Sequence, residues 1–262
     1  MGSKIEEILN KEEILKVIKT NLKHDNFTLK DVIVKPAGEN PLGFNGEHAK
    51  ITVTVIMNGQ NTDLHYFVKK TPNAVQAHRE YLDKAKCFYK EIGLFKSLLI
   101  DLTNARKFYK RVEKWYPECY YHKNEDIIVF EDVSVDGYYM VPERTFLDED
   151  YILKCLDSIA AMHASSIIFE EKLKIGEIRT ISENRGSNLK SIGELYNNLL
   201  FETEATGDKN HPGNWVYETG IKAFVELVDL LPKYTTDQKI IIKKKLPNEM
   251  RRIYDLVKPS DR

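Results

Sequence analysis

The spacing of apolar and polar positions changes period several times along this chain, and each change marks an element. Ile5, Ile8, Leu9, Leu15, Ile18 and Leu22 recur at roughly helical spacing, and Ser3 with Glu6 three residues later has the form of a capping box. This predicts a first helix over Lys4–Leu22. Short β-type runs follow at Val32–Val34, at Ile51–Ile56 with Thr52 and Thr54 alternating, and at Leu64–Lys69. Asn58-Gly59 divides the second run from the third and favours a tight hairpin turn. From Arg79 to Leu99 the period is helical again, with Tyr81, Ala85, Phe88, Ile92, Phe95 and Leu99 spaced by three and four. That spacing predicts one long amphipathic helix. After Trp115, Tyr116 and Pro117, the run Ile127–Phe130 reads as strand. Beyond Asp148-Glu149-Asp150 the pattern predicts helices at about Tyr151–Ala164, Leu189–Glu204, Trp215–Leu230 and Thr236–Val257.

Four or five strands with a packed helix, followed by an all-helical half, predict an α+β fold of two lobes. The expected division is an N-terminal sheet lobe over residues 1–133 and a helical lobe over 134–262. The strand Ile127–Val133 would cross between them, beside the cleft where ligands most often bind.

Composition narrows the class. A 262-residue chain with 42% hydrophobic content can bury a substantial core. Lys+Arg (39) nearly balance Asp+Glu (40), so a net charge of −1 gives no general attraction to nucleic acid or to an anionic membrane. Cys87, Cys119 and Cys155 are too few and too scattered for a disulfide framework or a zinc site. MGSKIEEILNKEEIL has no signal-peptide core, Glu6 breaks the myristoylation pattern, and no stretch approaches the roughly 20 apolar residues of a membrane span. The expectation is a cytoplasmic protein with neither nucleic-acid nor membrane partners.

The stretch LHYFVKKTP at Leu64–Pro72 carries the most pointed chemistry. Phosphoryl transfer needs positive charge on the nucleotide phosphates, held by a lysine that a carboxylate orients. Lys69 shares a strand face with His65 and Phe67, whereas Lys70 shares the other with Leu64, Tyr66 and Val68, so alternation leaves both open. Glu91 lies three residues after Phe88 and four before Phe95, on the flank of the apolar stripe. It either meets a buried cation or reaches water, and periodicity allows both. GENPLGFNGEH at Gly38–His48 is a turn rich in glycine without the GxGxxG pattern. As a bare motif it is weak, and an ordinary β-turn is the better explanation. Glu47 and His48 have no companions at metal-ligand spacing. His163 follows Ile152, Leu156 and Ile159 on one helical stripe, which predicts a hydrogen-bonded core histidine. Trp115, Tyr116, Tyr120 and Tyr121 read as packing residues, and Lys243-Lys244-Lys245 as a solvated helix face.

The succession GFNGEHAKITVTV, YFVKKTP, CFYKEIGLF, PECYY, IIVFEDVSVDGY and LDSIAAMHASS, covering about Val32 to Ser166, resembles the ecdysteroid kinase-like family. This family, also called CHK kinase-like, is related to choline kinases and aminoglycoside phosphotransferases. The resemblance implies a protein-kinase-like two-lobed fold and an ATP-dependent phosphotransfer to a hydroxyl group of a small molecule such as an ecdysteroid, with magnesium. It further implies that Lys69 contacts phosphate, that Glu91 is its ion-pair partner, and that Gly43, Phe44, Asn45 and Gly46 form the turn over the nucleotide. Glu131, Asp132 and Val133 match the hinge whose backbone would bond adenine. His163–Ser165 match a structural helix.

Members of that family carry an HGDxxxxN catalytic loop followed by an Asp-Phe-Gln-like metal segment, and neither occurs in this sequence. His24-Asp25 falls in the wrong lobe. The expectation is a complete sheet lobe with an incomplete helical lobe, ended before the catalytic loop. Such a chain has no assigned catalytic or metal-binding residue, is inactive in transfer, and associates with itself through uncovered core surface. The alternative is a non-catalytic protein, pseudokinase-like, that binds nucleotide or a partner.

Overall fold

The computed structural model describes residues 8–38, 46–72, 76–106, 115–139, 141, 147–177, 191–200 and 212–252. The first helix, α1 (Lys11–Leu22), is shorter than its apolar pattern predicts, because Asn10 caps it. The Asn10 carboxamide accepts from the Glu13 amide, and the Glu13 carboxylate accepts from the Asn10 amide. The capping box read at Ser3 and Glu6 lies outside the described residues.

Five strands follow in one antiparallel sheet of order β1-β2-β3-β5-β4. They are β1 (Thr28–Pro36), β2 (Glu47–Met57), β3 (Gln60–Lys70), β4 (Cys119–Lys123) and β5 (Ile127–Glu131). The first three run longer than their apolar cores, since polar residues at both ends complete the ladders. Met57 pairs with Gln60, so Asn58 and Gly59 form a two-residue turn with φ of 50° and 78°. β4 was absent from the periodic pattern because PECYYHK mixes aromatics with polar residues on both faces.

The stretch predicted as one helix is three. These are α2 (Gln76–Lys84), α3 (Cys87–Gly93) and α4 (Leu99–Ala105), with a π-helical turn at Leu94–Leu98 joining the last two. Lys86 takes φ 53° and breaks α2 from α3. A 3₁₀ turn (Val133–Asp136) follows β5, then α5 (Glu149–Lys174), α6 (Ile192–Leu195), α7 (Asn197–Leu200), α8 (Pro212–Leu227) and α9 (Thr236–Arg251).

Two packed layers flank the sheet. Ile14, Val17 and Ile18 of α1 bury Ile51, Val53, Tyr66, Val68 and Val129 on one face. Phe88, Ile92 and Phe95 cover Ile128, Phe130 and Phe67 on the other. A third cluster joins Leu98, Leu102 and Ala105 to Phe169 of α5 and to Ile192, Leu195 and Tyr196. This cluster ties the helical part to the sheet part.

The stripe of Ile152, Leu156, Ile159 and His163 does not lie in a core. All four are exposed, so the reading of His163 as a buried, hydrogen-bonded histidine is corrected. The buried positions of α5 are Ser165 and Phe169, on a different face. At 26 residues, α5 is also long and apolar enough by length and composition to cross a membrane, an exception to the sequence expectation.

Candidate functional site

Residues directly opposite one another in an antiparallel sheet share a face, so the register sorts the two lysines. Lys69 pairs with His48 and Ile128, and Phe67 pairs with Lys50 and Phe130. All six therefore lie on the face that α3 partly covers. Lys70 pairs with Glu47 and Ile127 and belongs to the face of α1.

Lys69 Nζ donates to Glu91 Oε2 at 2.5 Å, and the two side chains are 19% and 25% exposed. The same ammonium stands 5.4 Å from the centroid of the Phe88 ring. Phe88 and Ile92 anchor α3 on the sheet, and their helical phase leaves the intervening Glu91 aimed at the lysine. The charge pair is partly desolvated yet open on one side, an arrangement suited to an added anion.

Gly46 explains how the lysine reaches that position. A Cβ at residue 46 would lie 3.0 Å from Lys69 Cγ and 3.1 Å from Cε, closer than side chains tolerate without moving. The buried glycine thus leaves a channel for the lysine stem. Gly43, Phe44 and Asn45 lie outside the described residues.

His48 completes this end of the face. Its ring stacks on Phe67 with centroids 5.4 Å apart and planes inclined by 27°. Its Nδ1 is buried and has no hydrogen-bond partner among the described residues. Burial, reinforced by the Lys69 charge, lowers its pKa below 6.5, with Glu91 acting weakly in the opposite sense. Sequence reasoning considered His48 only as a metal ligand, whereas the structure makes it the neutral neighbour of a phosphate-binding candidate.

At the other end, Asp132 is 6% exposed and forms a compact polar knot. Its carboxylate accepts from the Ser134 amide at 3.1 Å, from Ser134 Oγ at 2.6 Å and from Lys50 Nζ at 3.1 Å. Burial pushes the Asp132 carboxyl up, but the bonds from Ser134 and Lys50 outweigh it and hold the pKa below 3.8. The stem of Lys50 therefore spans from β2 across Phe67 to the start of the 3₁₀ turn. Neither Lys50 nor Ser134 was singled out by sequence. The signal was present in Asp-x-Ser, the spacing of a side-chain turn, and in a lone lysine among the β2 threonines.

The backbone here is loosely engaged. The Asp132 amide donates to His65 O at 3.4 Å, while Val135 N to Asp132 O and Tyr138 N to Val133 O are both 3.3 Å. These lie at the long end for such bonds. Glu131 is held on the other side, its amide donating to Glu118 O at 2.9 Å and its carboxylate accepting from the Glu118 amide at 3.1 Å.

A cavity of about 770 Å³ opens beside this segment, between Trp115 to Pro117, Val133, Tyr138 and the α5 face bearing Lys154, Asp157 and Ser158. Its described lining does not include Lys69 or Glu91, so this hollow is not the phosphate end of the site. Among the described residues, no group of three His, Cys, Asp or Glu side chains is arranged to hold a metal ion.

Comparison with known proteins adds one match. The profile described as the Ecdysteroid kinase-like family matches residues 43–260. No curated protein and no solved structure matches the chain.

Proposed function

Because the chain belongs to the ecdysteroid kinase-like family, we propose that its sheet carries the nucleotide-binding half of an ATP-dependent small-molecule phosphotransferase. The fold is α+β and kinase-like. The observation that carries the proposal is the Lys69–Glu91 ion pair, set between the sheet and α3 and bordered by the Gly46 channel. In this reading residues 1–133 form the nucleotide lobe and 134–262 the helical lobe, whose surface meets the acceptor.

Each residue then has a physical task. Lys69 places a positive charge on the phosphates, and Glu91 fixes the ammonium so that little reorganisation accompanies binding. Gly46 borders the phosphates, and Gly43, Phe44 and Asn45 are assigned to the nucleotide from the family resemblance alone. Phe67, stacked with His48, offers an apolar ceiling for the base. The long bonds at Asp132 and Val133 leave the backbone after Glu131 able to exchange partners with an adenine edge. The acceptor is a hydroxylated small molecule such as an ecdysteroid, and the site is cytoplasmic.

Among the described residues no group of three His, Cys, Asp or Glu side chains is arranged to hold a metal ion, and we assign magnesium no ligand there. The 262-residue sequence also contains no His-Gly-Asp and no Asp-Phe pair, so it offers no loop aspartate to take the acceptor's hydroxyl proton. We therefore propose that this chain, assayed alone, binds nucleotide without transferring its phosphate. The second reading, a nucleotide- or partner-binding protein without catalysis, is favoured by the same two observations. The helix α5 is a packing helix of the lobe, since Ser165 and Phe169 are buried and Lys172 Nζ donates to Ala105 O at 3.0 Å. Its outward apolar stripe makes self-association the expected solution behaviour.

The test is thermal unfolding with and without ATP. Wild type should unfold at a higher temperature in ATP, and Lys69→Ala should lose that shift. An equal shift in both proteins would put the nucleotide elsewhere. Metal-dependent phosphorylation of any alcohol by the 262-residue chain would refute the proposed inactivity.

A further inference from the structure

Glu91 can serve Lys69 only while α3 stays pressed on the sheet, and the support for its back is an element that the nucleotide reading does not use. Gly93 lies two residues after Glu91, hence about 200° around the helix, facing away from the sheet. A Cβ there would stand 2.4 Å from Leu199 Cδ2, 2.8 Å from Cδ1 and 3.2 Å from Cγ. The leucine side chain of α7 thus fills the notch that a missing side chain leaves on α3.

The neighbouring contacts hold α6 and α7 in place. Tyr196 donates a short hydrogen bond to the Asp101 carboxylate, and both residues are 4% exposed. Ile192, Leu195 and Tyr196 pack on Leu98, Leu102 and Phe169. Ser191 and Glu194 close a capping box, and the Ile192 amide donates to Glu170 at 3.1 Å.

The π-helical turn at Leu94–Leu98 is what lets one continuous stretch serve two surfaces. Its extra residue keeps Phe95 on the sheet cluster while Leu98 and Leu102 turn to the helical cluster. Ser97 Oγ donates to Gly93 O at 2.5 Å, and Lys96 Nζ to Cys119 O at 2.8 Å, fixing the turn at both ends. On the remaining side a hollow of about 350 Å³ separates α3 from His122 and Glu125, so support there comes from α6 and α7 rather than from the β4–β5 turn.

We propose that α6 and α7 form a strap that positions Glu91 for Lys69, with Leu199 seated at Gly93 as the contact that sets the helix. Leu199, Tyr196 and Gly93 are positioning residues: they reach the nucleotide only through Glu91. The inference rests on the reading of Lys69 and Glu91 as a phosphate site.

The experiment compares ATP and adenosine affinities by calorimetry in wild type, Leu199→Ala, Leu199→Met and Gly93→Ala. Adenosine lacks phosphates and reports the base end alone. Leu199→Ala and Gly93→Ala should each weaken ATP roughly three- to tenfold while adenosine stays within about twofold, and Leu199→Met should restore ATP binding. Gly93→Ala raises helix propensity, so it keeps the test open if Leu199→Ala does not fold. Unchanged ATP affinity in both variants, or equal loss of ATP and adenosine, would overturn the strap's positioning role. A wild type that binds ATP no better than adenosine would instead overturn the phosphate reading beneath it.

Discussion

A methyl group at position 46 would press on the Lys69 stem from 3.0 Å, so Gly46→Ala should displace the ammonium from Glu91. ATP binding should weaken by roughly tenfold, as when a hydrogen bond to a charged group is lost, and calorimetry would show it. His48 supplies a pH dependence. Its pKa is lowered below 6.5 by burial and by Lys69, so the unfolded chain binds its proton first. Stability is then complete above about pH 6.5 and declines as the pH falls toward the folded value, and urea midpoints at pH 7.5 and 5.5 measure the loss. His122, lowered by burial and by Lys96, adds to it in the same direction. His48→Phe should shrink the decline. Much of this was legible in the residues, but not all. Strand alternation has a period of two and treats Lys69 and Lys70 alike, so only the pairing register, or the family resemblance, separates them. Glu91 on the flank of a stripe has two fates by phase alone, and the structure supplies the missing cation.

Elements were legible where local chemistry decided them. The Asn58-Gly59 turn is one, since both residues adopt positive φ, and Gly59→Ala should cost about 1–2 kcal/mol in chemical denaturation. The start of α1 is another, set by a box that the periodic reading did not single out. Asn10 and Glu13 form the box, and Lys123 Nζ joins Glu13 at 2.6 Å, linking the cap to β4. Asn10→Ala should therefore destabilise the protein by about 1 kcal/mol, read from the same denaturation curves. The break at Lys86 and the π-helical turn left no signal. Lysine is not a residue that announces a left-handed conformation, and a single inserted residue hardly disturbs a spacing of three and four. Both are imposed by packing against two clusters at once, information that no local window contains.

At the scale of the molecule, periodicity fixed the order of sheet and helices but could not say which helix faces are covered. Ile152, Leu156, Ile159 and Met162 of α5 face outward in the described structure, as do Phe224, Leu227 and Leu230 after it. An apolar stripe of this size predicts association that grows with protein concentration, and light scattering after size exclusion would detect it. A strictly monomeric protein over a hundredfold concentration range would count against that. The two clusters that join sheet to helices also make Glu91 answerable to residues about a hundred positions away, through Tyr196 and Leu199. The central claim is that Lys69 and Glu91 act together on nucleotide phosphates, and a double-mutant cycle on ATP affinity tests it most directly. Lys69→Ala and Lys69→Ala with Glu91→Ala should bind ATP equally weakly, because the carboxylate works only through the lysine. Full additivity of the two substitutions, or wild-type affinity in Lys69→Ala, would contradict the account.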